Sequence, residues 1–133
     1  MIIEKSVRTP AKQAMVDVTG LIQEAIRKAN IQDAHILVSV PHTTAALTVN
    51  ENADPSVVSD ILRRLEGFIP VGDDADRHAE GNSAAHLKSS LIGTCHSFIV
   101  YKGDLVLGTW QGIYFCEFDG PRNRRLQISI LAK

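Results

Sequence analysis

Apolar positions along the chain alternate between the period of a strand and the period of a helix. The first eight residues mix Ile2, Ile3 and Val7 with charges and suit a strand, and Met15 to Val18 forms a second short extended segment. Thr19 reads as a helix N-cap, because Leu21, Ile22, Ala25, Ile26 and Ala29 behind it share one helical face; Asn30 ends that helix. Ala34 to Val40 is rich in β-formers and stops at Pro41, and Ala45 to Val49 continues as a return strand. Asp54-Pro55 opens a second helix, with Asp54 as the cap and Pro55 where its missing N–H costs nothing. Its stripe is Val57, Val58, Ile61, Leu62, Leu65 and Phe68, closed by Pro70. Residues 70–82 are polar and read as a loop; Asn82 caps a third helix running to Leu91, and Gly93 ends it.

From Cys95 onward the pattern is that of a meander. Ser97 to Tyr101 leads through a turn at Lys102-Gly103 into Leu105 to Thr109, then Gln111 to Phe118. Asp119-Gly120-Pro121 is a strong turn signal, and Arg125 to Leu131 alternates as a final strand. Helices early and in the middle, with strands gathered late, predict a single α+β domain over residues 1–133. It carries three helices and an antiparallel or mixed sheet, rather than an alternating βαβ array.

Composition narrows the function. Fourteen Lys+Arg stand against fifteen Asp+Glu, so no surplus of cations exists to displace phosphate counterions, which argues against general nucleic-acid binding. No apolar run approaches the roughly 20 residues that cross a bilayer, so no membrane partner is expected. The first residues lack a secretory apolar region. Cys95 and Cys116 form no CxxC or zinc-finger spacing and read as reduced thiols of a cytoplasmic protein. Neither GxGxxG nor GxxxxGK[ST] occurs, which removes the common dinucleotide and P-loop readings. The acidic run Asp73-Asp74-Asp76 lacks the glycine and glutamate of a calcium loop.

Residues with chemical potential gather at element ends, in four groups. His42-Thr43-Thr44 follows a strand end, where an imidazole and two hydroxyls can bind an anion, shuttle a proton or ligate a metal, or simply form a turn. Asn50-Glu51-Asn52-Ala53-Asp54-Pro55 is explained by a solvated turn and a helix cap. His78 to Lys88 (HAEGNSAAHLK) puts two histidines around a helix start whose free N–H groups suit an anion, with Lys88 adding charge. His42, His78 and His86 number the ligands of an open catalytic zinc site, although their spacing leaves the geometry open. The fourth group runs from Gly108 to Arg125. Here Trp110 can stack on a planar ring, Gln111 can bond ring heteroatoms, Glu117 can act as an acid–base group or magnesium ligand, and the arginines can clamp phosphate. Core packing, an edge carboxylate and a basic turn are the structural alternatives. His35 and His96 lie inside strand-like runs and are assigned to structure.

Taken together, HTTAALTVNENADP (His42 to Pro55), HAEGNSAAHLK and GTWQGIYFCEFDGPRNR (Gly108 to Arg124) resemble the YjbQ-type family, also called the secondary thiamine-phosphate synthase family. The resemblance implies an α+β domain with a curved mixed or antiparallel, sandwich-like β-sheet, and a homotrimer whose motif residues gather in a pocket near a subunit interface. It implies a weak activity joining hydroxymethylpyrimidine pyrophosphate to hydroxyethylthiazole phosphate with release of pyrophosphate. On that basis His42, His86 and Glu117 are expected in catalytic roles. Thr43, Thr44, Asn52, Asp54, Asn82, Lys88, Trp110, Gln111 and Arg122 are expected to contact a small phosphorylated metabolite. His42, His78 and His86 are expected to hold a divalent metal, zinc or magnesium. A metal-dependent hydrolase of a phosphorylated small molecule and a non-catalytic trimeric metabolite-binding protein are the alternatives.

Overall fold

The fold is given by a computed structural model describing residues 1–132. Eight strands and three helices follow one another as β1 (Ile2–Arg8), β2 (Ala14–Asp17), α1 (Thr19–Lys28), β3 (Ala34–Ser39), β4 (Ala45–Glu51), α2 (Pro55–Phe68), α3 (Ser83–Ile92), β5 (Cys95–Tyr101), β6 (Asp104–Leu105), β7 (Gln111–Glu117) and β8 (Asn123–Ala132). They form two sheets, ordered β1-β8-β3-β5-β6 and β2-β7-β4. Every described pairing is antiparallel, so of the two expected sheet types only the antiparallel one is realised. This is the α+β class the pattern predicts, in the curved, sandwich-like form the resemblance implies.

The strand period explains the layering. In the larger sheet Val7, Ile36, Val38, Phe98, Val100, Leu126, Ile128 and Ile130 point inward. They meet Ala45, Leu47, Ile113 and Phe115 from the smaller sheet, and Ile22, Ala25 and Ile26 of α1 complete the cluster. The smaller sheet is covered on its other face too. Ala46, Tyr114, Cys116 and Phe118 pack there against Ala85 of α3, Val58, Leu62 and Leu65 of α2, and Ile92. Burial on both faces accounts for the unbroken apolar run in β7 rather than strict alternation.

Several boundaries differ from the sequence pattern for local reasons. Val18, not Thr19, occupies the N-cap of α1, because the Thr19 hydroxyl is committed to accepting the Ile113 N–H at 2.8 Å. Asp54 caps α2 as expected, accepting the Ser56 N–H at 2.9 Å. Asn82 holds the N-cap position of α3 but makes no side-chain cap bond; its Nδ2 donates to Asp119, and its Oδ1 is left without a partner. The strand expected over Leu105 to Thr109 stops at Leu105. Beyond it a turn forms in which the Gln111 side chain accepts the Gly108 N–H at 2.8 Å. Cys95 and Cys116 are both free thiols, and burial pushes that of Cys116 up to about 12.

Phe115 is fully buried where the two sheets meet. Phe115→Ala is predicted to cost about 3–5 kcal/mol, read as a lower urea midpoint at unchanged slope. A loss under about 1 kcal/mol would contradict this packing.

Candidate functional site

The site is built on one end of the β4–β7 ladder. Register pairs Ala45 with Glu117 at that end and Glu51 with Gln111 at the other. Six strand steps separate the two ends, about 20 Å at 3.4 Å per residue. Glu117 is wholly buried, yet its carboxylate is saturated. Oε1 accepts from Thr9 Oγ1 at 2.7 Å and from Arg124 Nε at 2.8 Å. Oε2 accepts from Arg124 Nη2 and from the backbone N–H groups of Phe118 and Asp119, each at 3.1 Å. Burial pushes the Glu117 acid upward, but the bonds from Arg124, Thr9 and the Asp119 N–H outweigh it, so the group sits below its ordinary value and is ionised. Arg124 then spans to the β3–β4 loop, donating from Nη2 to Thr44 Oγ1 at 2.9 Å.

Gly120 is required at this floor. A Cβ there would lie 2.4 Å from the Ala11 carbonyl oxygen and 2.7 Å from Glu117 Cγ. Next to it Arg122 folds back on its own turn, donating from Nε to the Asp119 carbonyl at 2.7 Å and from Nη2 to Asp119 Oδ2 at 3.0 Å. Asn82 donates to the same carboxylate oxygen at 2.9 Å, which ties the start of α3 to the β7–β8 turn.

Above this floor lies a cleft of about 440 Å³. The β3–β4 loop supplies His42, Thr43 and Thr44; the 70–82 loop supplies His78 and Glu80; α3 supplies Asn82 and His86; and the β7–β8 turn supplies Asp119, Arg122 and Arg124. His78 and His86 meet edge to face with ring centres 5.2 Å apart. His42 is oriented by the Arg125 backbone N–H, which donates to Nε2 at 2.9 Å. Burial, then the charges of Arg124 and Arg125, hold its pKa below the ordinary value. The neutral ring therefore carries its proton on Nδ1, a hydrogen-bond donor. The buried Asn82 Oδ1 has no hydrogen-bond partner, so the cleft wall holds one acceptor that a donor group can satisfy.

The sequence-predicted residues thus divide. His42, Thr43, Thr44, His78, Asn82, His86 and Arg122 converge on the cleft. Glu117 lies beneath it and holds Arg124 rather than facing a ligand, which corrects its expected catalytic role. Lys88, expected to contact substrate, is buried on another face of α3, donating to Gln13 Oε1 at 3.0 Å with Glu66 at 3.5 Å. Asn52, Asp54, Trp110 and Gln111 belong to the opposite end of the ladder within this chain. There Asn52 donates to Asp17 at 3.2 Å and packs over Gly112, where a Cβ would meet it at 2.5 Å. Asp119 and Glu80 also line the cleft, although in the sequence they mark only a turn and a polar loop. The Asp119-Gly120-Pro121 turn signal was the available clue.

The three imidazoles share the cleft but do not meet at a point. His42 spends Nε2 on a backbone N–H, and no group of three His, Cys, Asp or Glu side chains is placed to hold a metal ion among the described residues. Among the described residues of one chain the three imidazoles are therefore not gathered around a common point. What the arrangement offers is one arginine at the mouth, hydroxyl and imidazole donors, and a carboxylate fixed by two donors.

The fold and cleft define a small α+β sandwich protein with a histidine-rich polar site between α3 and the smaller sheet. Residues 3–133 match the UPF0047 protein YjbQ-like family, and the chain belongs to that family. It is 47% identical to the UPF0047 protein YugU of Bacillus subtilis over 94% of this chain and 95% of that one. A UPF0047 protein of Methanocaldococcus jannaschii is 45% identical over 98% and 94% of the two chains. An uncharacterised YjbQ/UPF0047 crystal structure from Clostridium acetobutylicum superposes with a TM-score of 0.92 at 46% identity, covering 97% of this chain and 99% of that one. A YbjQ-like protein of unknown function from Sulfolobus solfataricus gives 0.92 at 32% identity, covering 100% and 97%.

Replacing Glu117 by Gln leaves Arg124 charged, buried and unpaired, predicting a loss of about 3–5 kcal/mol in urea unfolding at pH 7. Because the folded-state pKa of Glu117 is depressed, its contribution is present above the ordinary value of 4.5 and is lost as pH falls toward the folded value. The gap between wild type and E117Q must therefore narrow below about pH 4.5; a gap constant with pH would contradict the assignment.

Proposed function

We propose that the cleft binds the phosphate or pyrophosphate group of a small metabolite and that the protein acts as a low-efficiency thiamine-phosphate synthase-like transferase. The observation that carries this reading is the convergence of Arg122, Thr43, His42, His78 and His86 on one cleft from four separate segments. In the reaction, hydroxymethylpyrimidine pyrophosphate loses pyrophosphate as the thiazole nitrogen of hydroxyethylthiazole phosphate bonds to the pyrimidine methylene carbon. Negative charge develops on the departing oxygen, where fixed donors lower the barrier most. Arg122 is suited to that task because it is half-exposed and pre-ordered by Asp119, and the His42 Nδ1–H adds a neutral donor. The step needs no covalent nucleophile, so the lack of a serine or cysteine in the cleft is consistent with it.

A hydrolase acting on a phosphorylated small molecule is favoured by a different observation. The His78–His86 pair beside Asp119 supplies more acid–base groups than the transfer requires. The reading also places the protein in the cytoplasm and as a homotrimer. Among the described residues no helix is long and apolar enough to cross a membrane. Light scattering after size exclusion tests the trimer.

Calorimetric titration with inorganic pyrophosphate is the test of the cleft. Binding by wild type and a weakening of at least about tenfold in Arg122→Ala, equal to about 1.4 kcal/mol, support it. Equal affinities would sink it. Turnover of the two thiamine precursors, against release of phosphate from simple monoesters, separates transferase from hydrolase; binding without either product favours a non-catalytic metabolite-binding protein.

A further inference from the structure

The polar cleft does not end at its histidines. A second hollow of about 350 Å³ shares His42, Thr43 and His86 with it as a common wall. Its remaining lining is Ser89, Ser90, Gly93 and Thr94, at the far end of α3. Asn82, His86 and Ser90 are spaced by four, so they form one stripe along the helix. From Asn82 to Gly93 that stripe runs about 16 Å at 1.5 Å per residue.

The two lobes differ in chemistry. The first holds Glu80, Asp119, Arg122 and Arg124. The second holds no Asp, Glu, Lys or Arg and is lined by hydroxyls, imidazole and glycine. Its glycine and serines differ in role. Gly93 sits at φ +95°, a conformation that side chains with a Cβ rarely adopt, and a Cβ built there meets nothing within 4 Å. Ser89 is buried and spends its hydroxyl on the Ala45 carbonyl at 2.6 Å, so it fixes α3 against β4 rather than reaching a ligand. Ser90 is exposed, one turn beyond His86.

We propose that this second lobe is a separate subsite for the uncharged, hydrogen-bonding part of a phosphorylated metabolite, with His42, Thr43 and His86 at the junction between the two parts. This rests on the reading that the charged lobe takes the phosphate. A neutral lobe without any cation accepts hydroxyl or heterocyclic groups and rejects a second anion, because an anion there would lose its hydration with no charge to replace it. The subsite thereby sets specificity: neutral phosphomonoesters are selected over phosphomonoesters that carry a carboxylate at the other end.

The test is calorimetric titration of the full chain with inorganic phosphate, glycerol 3-phosphate, ribose 5-phosphate and 3-phosphoglycerate. Wild type is expected to bind at least one of the two neutral esters about tenfold tighter than inorganic phosphate, and to bind 3-phosphoglycerate more weakly than that ester. Ser90→Phe, which fills the lobe, is expected to remove the ester's advantage while leaving affinity for inorganic phosphate within about twofold. Ser90→Ala, which keeps the space, is expected to retain most of it. Neutral esters that bind no tighter than inorganic phosphate, or a Ser90→Phe protein that keeps the preference, would overturn the subsite while leaving the phosphate reading intact. Failure of wild type to bind any of the four would overturn both. If Ser90→Phe fails to fold by circular dichroism, the order of the four wild-type affinities decides the matter alone.

Discussion

Glu117 and Arg124 face each other beneath the cleft, both almost completely removed from water, and the surrounding loops take their positions from the bonds this pair makes. Two charges in such a place are tolerable only when every strong lone pair and donor is matched. Glu117 is matched by Thr9, by Arg124 and by two backbone N–H groups of its own turn. Arg124 uses what remains to hold Thr44. Three segments distant in sequence, around residues 9, 44 and 117–124, are thereby fixed to one another. Thr43 and His42 emerge directly from the held Thr44, and Asp119 and Arg122 emerge from the held turn. The polar side chains of the cleft are thus ordered from below.

That arrangement also explains why the long motifs look the way they do. The stretch from His42 to Pro55 and the stretch from Gly108 to Arg124 lie antiparallel across the same ladder. Each therefore contributes to both ends of the smaller sheet. One end carries the histidine, threonines, aspartate and arginines of the cleft. The other carries Asn52, Trp110 and Gln111, with Asn52 seated on Gly112 so closely that no side chain fits there. Between them the strands are apolar because both faces are covered, by the larger sheet on one side and by α2 and α3 on the other.

Much of this was legible in the residues. The helical stripe of residues 57–68 and the Asp54-Pro55 start located α2, and the alternation after Cys95 located the meander. The pattern also placed His42, His78, His86 and Arg122 at element ends, where they now line one cleft. What escaped had a physical cause. A buried, fully bonded glutamate and an exposed catalytic one are identical in a one-dimensional reading, so nothing in the residues around Glu117 shows that it holds Arg124. Lys88 has a long apolar stem that can lie against Phe118, with its ammonium 6.0 Å from the ring centre, while its tip reaches Gln13. Nothing local distinguishes that from a lysine facing a ligand. Asn82 was expected to cap its own helix, but Asp119, 37 residues away, took its amide. Long-range partners decided each of these cases.

The central claim is that the histidine-lined hollow over the buried pair is a phosphate site. A crystal grown with inorganic pyrophosphate measures this most directly. Pyrophosphate is expected between Arg122 and the β3–β4 loop, with an oxygen within hydrogen-bond distance of His42 Nδ1 and no displacement of the Glu117–Arg124 pair. Pyrophosphate bound only on another surface, with this hollow holding ordinary solvent at saturating ligand, would contradict it.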